Sequence, residues 1–161
     1  MNYKKEISPS KIRQDASGLY GQYFCSEAIV SAIVDNLEVD IPKEALIAMS
    51  SGFPVGLGGS RCLCGAVSGG VMTLGLFFGR STPGDDKIGK MMELSAELHD
   101  WFKVESKKNS LCCRVITHGI EWQSQDHFNQ CAWLTGLVAE RVAQVLIREL
   151  DLTDLDQVVA S

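Results

Sequence analysis

Between Arg61 and Arg80 the chain carries eighteen consecutive uncharged residues, Cys62 to Gly79, CLCGAVSGGVMTLGLFFG. A run of this kind belongs inside a membrane or at the centre of a protein core. Eighteen residues is the lower limit for a membrane span. The run also contains Gly65, Gly69, Gly70, Gly75 and Gly79, two hydroxyl residues and two cysteines, and neither a second span nor an aromatic belt accompanies it. It therefore reads as the central helix of a soluble domain. Gly65, Gly69 and Thr73 repeat every four residues, so one side of that helix admits a close neighbour. VMTLGLFF alone would also suit a strand; length and the small-residue spacing favour a helix over Gly65–Phe78. The glycine-rich stretch before it, Ser51 to Ser60, ends beside a thiol, like one wall of a buried sulfur site.

Around this helix the rest of the chain reads as helical. Ser10 is the expected N-cap of a short amphipathic segment to Tyr20. Cys25, Ala28, Ile29, Ala32 and Ile33 follow the spacing of one helix face, predicting a helix from Cys25 to about Asn36. Pro42 suits the first turn of a helix over PKEALIAM. Asp85 and Asp86 open a helix to Phe102, with Met91 and Met92 as core residues. Leu111 to Thr117 makes about two turns. Phe128, Cys131, Leu134, Val138, Val142 and Val145 mark a long helix from Ser124 to Leu150, and the tail beyond it has no expected element. The expectation is an all-α fold: a single compact domain over residues 1–161, core about 11–150, with five to seven helices around the small-residue-rich one.

A formal charge of -5 with no clustered basic face argues against nucleic acid as a partner. MNYKKEISPSKIRQDASG has lysines but no apolar stretch behind them, so no secretory signal is read there and a cytoplasmic location is expected. In that setting the six cysteines are expected as thiols, metal ligands or redox groups rather than structural disulfides. Gly56-x-Gly58-Gly59 is not a nucleotide motif, because no strand precedes it and no P-loop lysine follows.

Cys25, Cys64, Cys113 and Cys131 each sit at or near the start of an expected helix, with Cys62 and Cys112 beside two of them. Unpaired N–H groups at a helix start favour thiolate over thiol and can bond the sulfurs of a cluster. Gly65, Ala66 and Gly69 expose such groups, because no large side chain covers them. His127, four residues before Cys131, is a lesser candidate as ligand or proton carrier.

The hexapeptide Cys64-Gly65-Ala66-Val67-Ser68-Gly69, with Cys25 upstream and Cys113 and Cys131 downstream, resembles a family of redox-active proteins named for a C-GCAxxG-C-C cysteine pattern. The resemblance covers about Lys11 to Leu146. One departure is that the name reads Gly-Cys-Ala where this chain reads Cys-Gly-Ala; the additional Cys62 and Cys112 are others. The family is itself similar to the cysteine-bearing region of split-Soret cytochromes c, where a four-cysteine set accompanies an iron–sulfur cluster. No Cys-x-x-Cys-His is present, so the haem does not carry over.

Three chemistries stay open. An iron–sulfur cluster on Cys25, Cys64, Cys113 and Cys131 would transfer electrons to a redox partner protein. Thiol–disulfide exchange would use the same residues, with Cys62, Cys64 and Cys112 as redox candidates. A structural zinc site is weakened by the absence of paired Cys-x-x-Cys knuckles. Buried cysteine also packs like a small hydrophobe. A non-catalytic helical interaction module, or a homodimer through the Gly65/Gly69 side, is therefore the remaining alternative. Whether the chain is an enzyme is left open by its residues.

Overall fold

The computed structural model describes residues 1–160. Among the described residues it is 63% helical, with eight helices and one very small sheet. The all-α expectation holds, and the eighth helix comes from the tail.

Strand β1 (Glu6–Ile7) is followed by α1 (Pro9–Leu19), α2 (Cys25–Leu37), α3 (Lys43–Ser50) and α4 (Gly65–Phe78). Next come α5 (Lys87–Glu105), α6 (Cys113–Ile116), α7 (Gln125–Leu150), β2 (Thr153–Asp154) and α8 (Leu155–Ala160). The cap of α1 is Ser8, whose hydroxyl accepts the Lys11 N–H at 3.1 Å, and not Ser10 as the sequence suggested. Pro9 explains the shift: it lacks an N–H to satisfy and fits the first helical position, so the cap is the residue before it. Helix α6 is a single turn rather than two. The Leu111 carbonyl at its expected start instead accepts the Cys64 N–H at 2.7 Å, across to the segment before α4.

Helix α4 is the centre of the bundle, packed against α2, α5 and α7. A Cβ at Gly69 would lie 2.7 Å from the Ser26 Cα on α2, and one at Gly70 2.8 Å from Leu98 and 2.9 Å from Val138. Glycine here sets how closely three helices approach. The Gly65/Gly69 side is filled within the chain, by α2 and by the Phe53–Pro54 stretch. Helix α1 lies across α7 and α2. On α5 the buried stripe is Leu94, Leu98 and Phe102, whereas Met92, expected in the core, is 67% exposed. The stripe runs every four residues, and Met92 points off it.

Helix α4 has fourteen residues, short of the roughly twenty a span needs. Among the described residues no helix is long and apolar enough to cross a membrane. The tail closes against the start of the chain: β2 pairs in parallel with β1, and the Asp156 carboxylate accepts the Ser10 N–H at 2.7 Å and the hydroxyls of Ser8 and Ser10.

Candidate functional site

Three of the four pattern cysteines stand where helices begin. Cys25 is the first residue of α2, Cys64 the N-cap of α4, and Cys113 the first residue of α6. Cys131 differs. Ser124 caps α7 by accepting the His127 N–H at 3.1 Å, which leaves Cys131 in the second turn, away from the helix's unpaired donors.

The fold brings these four cysteines to the wall of one cavity, with Tyr20, Phe24, Val55, Arg61, Ala66, Thr117, Trp122, His127 and Leu134. Its atom-free space is about 460 Å³ and opens to solvent, with about 40 Å³ admitting the centre of a water molecule. Cys64 is buried and Cys25, Cys113 and Cys131 are partly so. Cys62 and Cys112 do not line the cavity.

The loop between α3 and α4 shapes one wall. Val55 (φ 55), Gly56, Leu57 (φ 50), Gly58, Gly59 and Arg61 (φ 61) all have left-handed backbone. For glycine this is ordinary, but for Val55, which is β-branched, it is strained. The winding aims the Val55 N–H at the Cys25 sulfur and sets Arg61 on the cavity wall. Opposite, the first turn of α4 directs the Gly65 N–H at Cys113 and the Ala66 N–H at Cys64. Gly69, grouped with them in the sequence, packs against α2 and is not part of the wall.

Cys64 and Cys113 share a hydrogen bond. The Cys64 thiol donates to Cys113, and with the Gly65 N–H and Arg61 this holds Cys113 down to about 7 against the opposing effect of burial. The same bond, with burial, raises Cys64 well above the ordinary thiol range. Cys113 Sγ also lies 3.9 Å from the Leu63 carbonyl oxygen. Burial pushes Cys25 up to about 12, with Cys113 and Cys131 adding to it. Burial also raises Cys131, opposed by the Tyr20 hydroxyl bonded to it. His127 Nε2 lies 3.9 Å from Cys131 Sγ, its ring against Trp122, and burial followed by Arg61 lowers its basicity.

The walls of the cavity suit an anionic, sulfur-ligated group. Four thiols are the donor set of iron–sulfur clusters. Their burial opposes four thiolates unless a positively charged metal group compensates. A Cβ at Gly65 would lie 2.3 Å from the Cys25 sulfur, so the glycine leaves space that any other residue would fill. Arg61 Nε is buried without a hydrogen-bond partner, while Nη2 donates to Thr117 Oγ1 at 3.1 Å. Among the described residues no three His, Cys, Asp or Glu side chains are arranged to hold a metal ion.

No motif or spacing pointed to Tyr20, Val55, Arg61 or Trp122 as wall residues. Arg61 next to Cys62 is the nearest thing to one, because a cation beside a thiol is a known way to favour thiolate.

The family model described as "Putative redox-active protein (C_GCAxxG_C_C)" matches residues 23–145. The chain belongs to this family. All six cysteines fall within the matched region. No curated protein and no solved structure gives a match.

Proposed function

We propose that the chain is an electron-transfer protein holding an iron–sulfur cluster through Cys25, Cys64, Cys113 and Cys131. The observation that carries this reading is the meeting of four cysteines from four separate elements at one largely apolar cavity. When bound, the cluster supplies one-electron chemistry. Around it the Val55, Gly65 and Ala66 N–H groups and the Arg61 guanidinium offset the negative charge of the thiolates, which raises a cluster's potential. Tyr20, through its bond to Cys131, fixes that sulfur's orientation. Phe24 and Trp122 are exposed at 54% and 44% and line the opening, where a redox partner protein would approach.

Anaerobic purification or reconstitution tests the proposal. The expected product is coloured, with iron, labile sulfide and visible charge-transfer absorption, and Cys25→Ser and Cys131→Ser each lower the iron content. A colourless, iron-free product after reconstitution of correctly folded protein overturns it.

One observation favours a second reading, thiol–disulfide exchange at the cavity. Cys64 and Cys113 are already in contact, and a thiol that ionises near ambient pH is close to optimal for attack on a disulfide. That reading predicts a reversible loss of two thiols at Cys64 and Cys113 without metal.

A further inference from the structure

Outside the cavity, the segments that carry Cys64 and Cys113 hold a second pair of sulfurs, which the four-cysteine pattern does not include. Cys62 is exposed and Cys112 half-buried, and both are free. The segments are tied by two backbone bonds, Cys64 N–H to the Leu111 carbonyl at 2.7 Å and Arg114 N–H to the Arg61 carbonyl at 3.0 Å. These bonds flank the pair. Cys112 Sγ lies 3.2 Å from the carbonyl oxygen of Arg61, the residue bonded to the Cys62 nitrogen, and the two cysteine side chains are in hydrogen-bonding contact. Neither sulfur is turned into the cavity. Two thiols brought side by side by paired backbone, one of them open to solvent, are the starting arrangement for an intramolecular disulfide.

We propose that Cys62 and Cys112 form a surface dithiol that converts reversibly to an intramolecular disulfide by exchange with a small soluble disulfide, separately from the four cavity cysteines. The Cys62 sulfur, the more exposed, gives up its proton and attacks one sulfur of the incoming R–S–S–R. A Cys62–S–S–R bond forms, the R–S–S–R bond breaks, and the departing RS⁻ takes up a proton. Cys112 then loses its proton and attacks Cys62 Sγ. The Cys62–Cys112 bond forms, and the second RS⁻ leaves and is protonated. Two electrons pass to the incoming disulfide, which ends as two RSH, and excess RSH reverses both steps. Because the segments already hold Cys112 against Cys62, the second attack has a high effective concentration and the mixed disulfide is short-lived.

The test uses the full chain, metal-free and under anaerobic conditions, equilibrated with oxidised and reduced glutathione at a series of ratios. Remaining thiols are then alkylated and the peptides mapped by mass. The expected result is loss of two of the six thiols and a single Cys62–Cys112 link, restored to thiols at high reduced glutathione. Cys25→Ser and Cys131→Ser leave the link intact, and Cys112→Ser traps glutathione on Cys62. A link at Cys64–Cys113, glutathione retained on Cys62 in the unaltered chain, or all six thiols surviving would each overturn the proposal. Iron content after reconstitution is measured on the Cys62→Ser, Cys112→Ser double variant. Normal iron with no link in the parent chain removes this inference alone, and a normal link in a chain that never takes up iron removes only the cluster.

Discussion

The sulfur of Cys25 occupies the space that a side chain at residue 65 would take. The family name places cysteine in the middle of Gly-Cys-Ala; in this chain cysteine and glycine stand in the opposite order, at Cys64 and Gly65. Cys64 thus enters the cavity from the N-cap rather than from the first turn of α4. Gly65→Ala should push the Cys25 sulfur aside, because a side-chain tip yields more readily than backbone. Iron uptake is expected to fall severalfold, and stability in denaturant to fall by about 1–3 kcal/mol, the range for overpacking. If uptake is unchanged, that space is not part of the site. The Cys64–Cys113 bond makes a separate prediction for the metal-free protein. Cys113 should be alkylated with a midpoint near its value of about 7, the rate falling as pH drops below it. A thiol with a lowered folded value stabilises the fold above its unfolded value and loses that contribution as pH falls through the folded one. Cys64→Ala removes the donor, so the alkylation midpoint should move up toward the ordinary thiol range. An unmoved midpoint would assign the lowering to Arg61 and the Gly65 N–H instead.

At the scale of elements, periodicity was sufficient wherever a helix was long or had a clear apolar stripe. Helix α4 has the expected bounds, and α2 and α7 differ from expectation by a residue at one end. It failed where a distant partner decided the outcome. Leu111 was drawn out of α6 by Cys64, and the two-residue strands β1 and β2 exist only because the chain's two ends meet. No local pattern encodes either contact. The six cysteines were legible as a set, and their spacing placed three of them at helix starts. Their division into four and two was already drawn from the helix starts and the family resemblance, whereas the pairing of two loops that brings Cys64 beside Cys113 is not carried by spacing. Glycines in helices provide a graded test of packing. Gly18 in α1 has open space where a Cβ would go, so Gly18→Ala should stabilise the fold by about 0.5–1 kcal/mol. At Gly69 the obstacle is the Ser26 backbone, and overpacking should cost about 1–3 kcal/mol, partly offset by better helix propensity. Thermal or denaturant unfolding of the two variants reads the difference directly, and equal effects would contradict the close α2–α4 crossing.

Across the whole molecule, the four cavity cysteines come from two kinds of support. Cys25 and Cys131 are on α2 and α7, long helices packed against each other in the core. Cys64 and Cys113 stand where two loops enter α4 and α6, and those loops are tied by a pair of backbone bonds and the contact of Arg61 with Thr117. Regions with few buried contacts open at lower free energy than the core. In the metal-free protein the amide of Cys64, bonded to Leu111, and that of Arg114, bonded to Arg61, should exchange with solvent faster than those of Ile29 to Ile33 and Val138 to Val142. Loading the cavity should slow them, and equal protection before loading would mean the loops are as firm as the helices. A group too large to diffuse past Phe24 and Trp122 then has another way in. For the proposed cluster, parting of the loops would leave Cys25 and Cys131 on the standing helices and closure would bring up Cys64 and Cys113, so the rate of insertion would be set by a local opening of the loop pair while the bundle stays folded.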